Sequence, residues 1–346
     1  MNKEKQFQIL RTLVAVSIAL VLAFLIIFMV SDEPIKTLFT FVAGPLKSKR
    51  YVGNVIELAI PLIFSGLATS LLFETGLFNL GSEGIFFISG ITATAVVLFL
   101  KSTPFFHPII AILAGSLVGM IAASIPAVLK AKWNASELVT SLMFNSIFLG
   151  IGLYILNYHL RDSNLTEIAS LKFPESASLS KIIPGTRIHA GLIIALVMVI
   201  IVYYFLYKTK WGYSLRMTGI NPKFAQFSGI NTFWVIIYVH LIAGFIAGMG
   251  GSVEVLGMYN RFRWSSLPGL GFDGALVAML AKNKPFSVIG AAMFLAYIRI
   301  GADLMARLTD VPAEMVAIIQ AVIILLISAE KFLEVWRHKM LLKEAR

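Results

Sequence analysis

Long apolar runs separated by short polar connections follow one another along almost the whole of this 346-residue chain. Runs of about 20 residues have the length that an α-helix needs to cross a lipid bilayer. They are continuous rather than alternating, which favours membrane-spanning helices over the strands of a β-barrel. The predicted spans are residues 13–30, 53–73, 84–100, 107–129, 137–157, 188–207, 232–251, 286–305 and 312–330, with a shorter apolar run at 272–281. The pattern therefore predicts an all-α, polytopic membrane protein with about ten transmembrane helices.

The basic residues of the polar connections indicate how the spans are oriented. Lys and Arg are in excess in the cytoplasmic loops of membrane proteins. With a cytoplasmic N-terminus, the inner connections contain Lys130, Lys132 and the basic segment 208–231. In this orientation Lys49 and its basic neighbours lie on the outer side, which is an exception to the rule. We therefore expect both termini in the cytoplasm.

Composition supports a membrane protein and excludes several classes of function. Hydrophobic residues make up 58% of the chain, whereas an ordinary soluble domain is about 45–50% apolar. The net charge of +11 is expected of a membrane protein whose basic residues face anionic lipid, so we predict no nucleic-acid partner. Zero cysteines and five scattered histidines argue against disulfides, a metal site and a cysteine nucleophile. We therefore expect no catalytic residue and no metal ligand.

The segment Glu74–Gly90 interrupts the apolar pattern between the second and third predicted spans. It contains two carboxylates, an asparagine and four glycines; dense glycine loosens a helix, and buried polar groups in a membrane are costly. Irregular backbone at membrane depth persists only where protein or a water-filled cavity satisfies its polar groups. A second glycine-rich passage, Gly269–Gly274, follows a later span. We therefore predict broken helices in inverted-repeat-like halves, as in transporters; a tight polar turn between two helices is the alternative.

Three polar residues share one face of the apolar span 137–157. Glu137, Ser141 and Asn145 follow each other at intervals of four residues, so they form a stripe on one side of a helix. This polar stripe must face the interior of the bundle rather than lipid. It either lines a solute pathway or bonds neighbouring helices together. Both interpretations stay open, and Asn145 is the better pathway candidate because Glu137 lies near the membrane edge.

A basic segment between the spans 188–207 and 232–251 contains the signals of a short helix. Asn221 can cap its N-terminus, Pro222 suits the first helical position and Gly229 can end it. The alternative is an ordinary interhelical loop. The chain has no Gly-x-x-x-x-Gly-Lys-Ser/Thr sequence, so it carries no P-loop of its own. Energy for transport must therefore come from a partner protein or from an ion gradient.

Four passages give the chain a specific resemblance to a known family. They are Thr75-Gly-Leu-Phe-Asn-Leu-Gly-Ser-Glu-Gly84, Ser136-Glu-Leu-Val-Thr-Ser-Leu-Met-Phe-Asn145, Gly219-Ile-Asn-Pro-Lys-Phe-Ala-Gln-Phe-Ser-Gly-Ile230 and Gly269-Leu-Gly-Phe-Asp-Gly-Ala-Leu-Val-Ala-Met-Leu280. In order and spacing they resemble the permease subunits of bacterial ABC importers. Within these, the chain is similar to the branch that serves simple sugars, branched-chain amino acids and nucleosides, and most of all to nucleoside permeases that work with a BMP-like lipoprotein.

The extent of this resemblance implies a single transmembrane permease domain over residues 1–346. Residues 51–330 form its core, residues 1–50 add an N-terminal span and loop, and residues 331–346 form a basic cytoplasmic tail. The implied location is the cytoplasmic membrane of a bacterium, which the chain crosses several times with both termini on the cytoplasmic side.

The resemblance also implies two groups of site residues. Polar and aromatic side chains of the glycine-rich passages and the polar stripe are candidates for the substrate pathway: Phe78, Asn79, Glu83, Phe87, Asn145, Phe272 and Asp273. The short helix becomes the coupling helix that docks on a cytoplasmic ATPase. Its candidate coupling residues are Arg216, Gly219, Asn221, Pro222, Phe224, Ala225, Phe227 and Gly229. The aromatic rings are expected to stack on a planar cargo.

The function implied in this way is that of the membrane-spanning subunit of an ATP-driven importer of nucleosides. Its expected partners are an ATP-binding cassette ATPase, a second related permease, an extracytoplasmic substrate-binding lipoprotein and the lipid bilayer. The chain itself is expected to hold no cofactor and to catalyse no reaction, since the ATPase binds ATP. The alternatives are an ABC permease for a pentose or a riboflavin-like vitamin, and an ion-coupled secondary transporter that uses Glu83, Glu137 or Asp303.

Overall fold

The computed structural model describes residues 21–322, except residues 23, 101, 313, 317, 319 and 320. Part of the predicted span 13–30, most of the predicted span 312–330 and the whole tail 331–346 lie outside the described residues. The expectations for these three segments therefore stay predictions.

Helices form almost all of the regular structure in the described part of the chain, which contains two isolated β-bridges and no strand. The helices named below are, in chain order, α1 (Pro34–Ala43), α2 (Lys49–Glu74), α3 (Ser82–Phe99), α4 (Phe106–Trp133), α5 (Glu137–Ile155), α6 (Gly191–Lys208), α7 (Lys210–Ile220), α8 (Pro222–Phe227), α9 (Thr232–Met258), α10 (Leu270–Leu280) and α11 (Pro285–Leu308). Among the described residues, seven helices are long and apolar enough to cross a membrane. The prediction of an all-α polytopic membrane protein is confirmed, while the number of about ten spans stays a prediction.

The predicted interruption after the second span is present. α2 ends at Glu74 and α3 begins at Ser82; the connecting residues 75–81, called the break below, are not helical. Gly76 has φ +75°, a conformation that residues with a side chain rarely adopt. The break is therefore a stretch of irregular backbone between two membrane-length helices, and it is longer than a tight turn.

The second glycine-rich passage also interrupts a helical path. Gly269 has φ +82° and is followed by α10, which has 11 residues. At about 1.5 Å per residue α10 is roughly 16 Å long, about half of the ~30 Å hydrocarbon core of a bilayer. α10 is therefore too short to cross a bilayer by itself.

Contacts between residues divide the described chain into two units. The larger unit is Gly53–Ala296, and the smaller unit consists of the described residues of Met1–Val52 and Tyr297–Arg346. In the smaller unit, α1 contacts α11 through a hydrogen bond that the Tyr297 hydroxyl donates to the carbonyl of Val42.

Asp303, one of the candidate coupling carboxylates, also lies in the smaller unit. It is exposed on α11, where it accepts a hydrogen bond from Nε of Arg307 at 2.9 Å. The two residues are four apart on one helix face, and an exposed pair of this kind contributes at most about 0.5 kcal/mol. Asp303 thus takes part in a surface ion pair.

The larger unit is centred on α9, which packs against α4 and α3. Where α4 and α9 cross, Gly115 and Gly119 face Gly244 and Gly248. A Cβ on Gly119 would lie 2.5 Å from the carbonyl oxygen of Gly244, and one on Gly248 would lie 2.7 Å from that of Gly115. Pairs of small residues four apart let two membrane helices approach closely and gain dispersion contacts. Because α3 also packs on both helices, this crossing holds the start of α3 in place.

Candidate functional site

Glu137, the first residue of the polar stripe, bonds the backbone near the beginning of the break. The backbone N–H of Phe78 donates to Oε2 of Glu137 at 2.9 Å. The other carboxylate oxygen, Oε1, lies 2.7 Å from Nζ of Lys130 at the end of α4. Glu137 therefore links three parts of the larger unit: the break, the end of α4 and the start of α5.

The other two residues of the polar stripe hold the middle and the end of the break. Ser141 Oγ accepts the N–H of Leu80 at 3.2 Å. The Asn145 side chain accepts the N–H of Gly84 at 2.9 Å and donates to the carbonyl of Leu80 at 3.0 Å. A Cβ on Gly84 would lie 2.7 Å from the Cα of Asn145, so glycine at this position lets α5 come close enough for these bonds.

These contacts decide what the polar stripe does in this conformation. All three of its side chains bond backbone groups of the break or of the first turn of α3. Irregular backbone in a membrane needs such partners, because each unsatisfied polar group costs several kcal/mol there. The stripe thus bonds neighbouring segments together, and a role for Asn145 in the substrate pathway stays a prediction.

Glu83 connects the two glycine-rich passages. Its side chain is fully buried, and its oxygens accept the N–H groups of Gly269 at 2.5 Å, Gly271 at 2.6 Å and Phe272 at 3.1 Å. These donors are the free N–H groups at the start of α10, where an anionic side chain is stabilised by the helix dipole. Asp273 lies buried in the same first turn. Three of the predicted pathway residues, Glu83, Phe272 and Asp273, therefore occur at one place.

Asn79 lies beside a small cavity of about 10 Å³, which is lined among others by Ser141, Phe148 and His240. This volume is room for about one water molecule. The side-chain oxygen of Asn79 accepts the N–H of Gly81 at 2.7 Å and so forms a local turn inside the break. In this conformation the space beside Asn79 is too small for a sugar or a base.

Phe87 belongs to a group of aromatic residues that also contains Tyr259, Phe262 and Trp264, called the aromatic cluster below. The ring of Phe87 lies 5.6 Å from that of Phe262 and 6.5 Å from that of Trp264, and Tyr259 lies 6.1 Å from Trp264. Edge-to-face and offset arrangements of this kind stabilise buried rings. Phe78 stacks instead on the ring of Phe73 at 5.0 Å. Phe78 and Phe87, both predicted to line the substrate pathway, therefore belong to two different groups of aromatic rings.

The connection between α5 and α6 packs against the residues around Phe262. The N–H of Ser170 donates to the carbonyl of Phe262 at 3.0 Å, and Arg261 forms an ion pair with Asp162 at 3.2 Å. Hydrogen bonds from the backbone of Asn164 and from Arg261 hold the pKa of Asp162 below its usual value. Polar contacts with the α5–α6 connection therefore hold the backbone of the aromatic cluster in place.

Glu57 is a buried carboxylate that no sequence motif singles out. It lies 5% exposed on α2, and Glu254 on α9 is also 5% exposed. The signal in the sequence is a lone acid within the apolar run 53–73, and intramembrane acids are functional candidates by default.

The sequence signals predicted for a short helix at this position are all present. The side-chain oxygen of Asn221 accepts the N–H of Phe224 at 3.1 Å and caps α8, and Pro222 occupies the first helical position. Gly229 has φ +81° and ends the segment. The prediction of a compact helix, rather than an ordinary loop, is confirmed for residues 222–227.

α8 carries two aromatic side chains at its surface. Phe224 is 54% exposed and Phe227 is 92% exposed, while Ala225 between them is buried against the rest of the chain. An exposed pair of large aromatic rings is typical of a binding surface. α8 thus presents two apolar side chains outward.

The segment that leads into α8 touches the beginning of the break. A side-chain carbon on Gly219 would collide with the carbonyl oxygen of Glu74, and Gly76 lies against the backbone of Gly219. The guanidinium of Arg216 lies 5.1 Å over the ring of Tyr207. Gly219 and Arg216 therefore face other parts of this chain, and a direct contact of either residue with a partner stays a prediction.

Comparison with known proteins agrees with this architecture. A family described as "Branched-chain amino acid transport system / permease component" matches residues 51–328. The guanosine ABC transporter permease protein NupP of Bacillus subtilis is 34% identical over 285 residues, which cover 81% of each chain. The glucose ABC transporter permease protein TsgB13 of Haloferax volcanii is 30% identical over 88% of this chain and 83% of that protein. The nucleoside ABC transporter permease protein NupB of Lactococcus lactis is 27% identical over 97% of this chain and 94% of that protein.

Proposed function

Since this chain belongs to the family of branched-chain amino acid transport system permease components, we propose that it is the membrane-spanning subunit of an ATP-driven importer that carries nucleosides. Its similarity to a guanosine permease and to a nucleoside permease supports this cargo. The chain holds no cofactor and catalyses no reaction in this proposal. A separate cytoplasmic ATPase binds and hydrolyses ATP.

The observation that carries the proposal is the pair of exposed aromatic rings on α8. Phe224 and Phe227 are three residues apart, so both can enter one apolar groove of a partner. Burying one Phe side chain contributes roughly 1.5–3 kcal/mol, which is enough to make the pair the centre of an interface. The ATPase is the cytoplasmic partner that an importer without a P-loop requires.

The end of α7, which directly precedes α8, contacts the beginning of the break. α8 follows α7 at Asn221, and Gly219 near the end of α7 packs against Glu74 and Gly76. A displacement of α8 by the ATPase is therefore passed to the start of the break. Because the break is held by individual hydrogen bonds rather than by a helical ladder, it can change its shape without unfolding α2 or α3.

The substrate pathway in this proposal runs beside the break and the aromatic cluster. A nucleoside base can stack on aromatic rings such as Phe87, and its polar edge can bond an amide such as Asn79. The small cavity beside Asn79 then represents the closed form of the pathway. Opening it for a nucleoside requires the neighbouring segments to move apart.

The remaining partners follow from the same proposal. A second related permease completes the pore, and an extracytoplasmic lipoprotein delivers the nucleoside. The chain crosses the bacterial cytoplasmic membrane several times with both termini inside. Lys210, Arg216 and Lys223 belong to α7 and α8, and this cluster of basic residues supports a cytoplasmic position for α8.

A sugar is the second candidate cargo, because the permease of Haloferax volcanii that is named for glucose is 30% identical to this chain. Hydroxyl groups of a sugar would use the same polar residues. The aromatic cluster distinguishes the two cargoes less sharply, since sugars also stack on aromatic rings through their apolar faces.

Reconstitution tests the proposal directly. The permease is incorporated into proteoliposomes with its ATPase and its substrate-binding protein, and uptake of labelled guanosine is measured with and without ATP and vanadate. We expect uptake that requires ATP, stops with vanadate and is inhibited by unlabelled nucleosides. Uptake that continues with vanadate and stops when the proton gradient is collapsed would contradict an ATP-driven importer. Inhibition by glucose or a pentose, but not by nucleosides, would replace the nucleoside with a sugar.

A further inference from the structure

Glu83 lies where the first turns of two helices meet. It is the second residue of α3, and its carboxylate accepts three backbone N–H groups at the start of α10. A side-chain carbon on Gly271 would collide with the backbone of Glu83, so the two helix starts are in direct contact. Each helix start carries a positive partial charge, and the buried carboxylate lies between them.

We propose that Glu83 is a positioning residue of the transport cycle, whose carboxylate locks the start of α10 to the start of α3 so that the two interrupted helices move together. The proposal rests on the transport function proposed above. It adds a role for one residue that is distinct from direct contact with the cargo.

The chemistry of the site favours a carboxylate over other side chains. Three N–H donors converge on two oxygens, and a carboxylate offers acceptors only. A glutamine of the same size would direct an NH₂ group at one or more of these donors, so at least one backbone N–H would lose its partner. Hydrogen bonds to an ionised acceptor are also about twice as strong as neutral ones. The lock should therefore depend on the negative charge and not only on the size of the side chain.

The helices around Glu83 form a series of contacts that extends from α10 to α8. α10 also packs closely on α2, since a Cβ on Gly274 would lie 2.6 Å from Ser65. α2 in turn meets the end of α7 at Glu74 and Gly219. Motion that enters at α8 therefore reaches the break, then α3, and then α10 through Glu83. Without the carboxylate, the three hydrogen bonds that fix the start of α10 to α3 would be lost.

Three variants test this role in the reconstituted complex: Glu83→Gln, Glu83→Asp and Glu83→Ala. We expect Glu83→Gln to lower kcat for uptake about tenfold or more, because at least one charge-assisted bond is lost, with KM changed less than about twofold. Glu83→Asp keeps the charge and should retain more activity than Glu83→Gln. A rise in KM at unchanged kcat would identify Glu83 as a cargo ligand and would overturn the proposal.

Chemical rescue tests whether the site requires the charge and the two acceptor oxygens of the carboxylate. Formate has two oxygens and one negative charge, so it can occupy the space vacated in Glu83→Ala. We expect sodium formate, compared with sodium chloride at the same concentration, to raise uptake by Glu83→Ala severalfold. The matched control is Glu254→Ala, which removes another buried glutamate from the larger unit; formate should leave its rate unchanged. Equal responses of the two variants would overturn the proposal.

A measurement without transport separates this proposal from the proposed function. Hydrogen exchange of the amides at residues 269–272 is followed in the purified permease in lipid nanodiscs. In wild type these amides should be protected, and in Glu83→Gln they should exchange at least about tenfold faster. Unchanged exchange would exclude the lock even if uptake were lost. If exchange is faster in Glu83→Gln but the wild-type complex does not carry nucleosides, the proposed role of Glu83 stands and the proposed cargo is wrong.

Discussion

In the break at residues 75–81, polar groups are buried and hydrogen-bonded, whereas on α8 two aromatic rings are exposed. The backbone of the break is held by Glu137, Ser141 and Asn145 from one neighbouring helix. Phe227 on α8 is 92% exposed. The two regions therefore differ in what they bury and what they expose: the break buries polar groups, and α8 exposes apolar side chains.

The two arrangements have different physical consequences. A buried backbone group in the break needs its partner in order to be stable at all, so the polar stripe contributes to the folding free energy of this chain. An exposed aromatic ring contributes little to folding and becomes favourable only when another molecule covers it. Changes in the break should therefore affect stability and transport together, while changes on α8 should affect partner binding alone.

Asn145→Ala should have the largest effect on stability. It removes the acceptor of the Gly84 N–H and the donor to the Leu80 carbonyl, and each buried group left without a partner costs about 1–3 kcal/mol. We expect a clearly lower thermal midpoint in detergent, measured by fluorescence-detected size-exclusion chromatography.

The matched control for this variant is Asn157→Ala. Asn157 lies in the continuation of the same helix and donates to the carbonyl of Leu153 in its own helix at 2.9 Å. Its loss should lower the midpoint much less. Equal midpoints for the two variants would show that the bonds to the break do not support the fold.

Phe224→Asp should have the next largest effect, on partner binding rather than on stability. Loss of one buried Phe weakens an interface by roughly 1.5–3 kcal/mol, whereas loss of the rim charge in Lys223→Ala changes it by about 0–1 kcal/mol. Capture of the ATPase by each variant and its substrate-stimulated ATP hydrolysis are measured in parallel. We expect Phe224→Asp to lose both and to keep the thermal midpoint of wild type. A Phe224→Asp variant that retains the ATPase and its activity would place the coupling surface elsewhere.

Local features of both regions were predictable from sequence. Asn221, Pro222 and Gly229 act on their immediate neighbours, so their residue types suffice to predict the ends of α8. The interval of four residues in the polar stripe likewise predicts which face of α5 is polar. The approximate positions of the membrane helices follow from the apolar runs for the same reason, although α9 continues to Met258, beyond the predicted end at residue 251.

The partners of these residues were not predictable. Glu83 bonds the N–H of Gly269, which is 186 residues away in the chain, and helical periodicity carries no information about which backbone lies opposite. The polar stripe could equally have faced the pathway, since intramembrane polar groups have the same pattern in either role. Only the packing of α5 against the break shows which groups meet.

The smallest of the expected effects is that of pH on stability. A change in pH acts on a buried polar group and leaves the aromatic rings of α8 unchanged. His189 is fully buried in the connection before α6, where its Nδ1 accepts the N–H of Gly191 at 3.2 Å. Burial lowers the pKa of His189 from 6.5 to about 4. Between these values the unfolded chain binds more protons than the folded chain, so stability falls as pH decreases below 6.5.

The expected loss is roughly 1–2 kcal/mol at pH 5, visible as a lower thermal midpoint than at pH 7.5. His189→Asn keeps an acceptor for the Gly191 N–H but cannot be protonated in this range, so part of the pH dependence should disappear. The control is His159→Asn, which makes the same substitution at an exposed position. If His189→Asn retains the full pH dependence of wild type, protonation of other buried groups causes it. ATPase capture through α8 should change little over the same range, because its two aromatic contacts do not titrate.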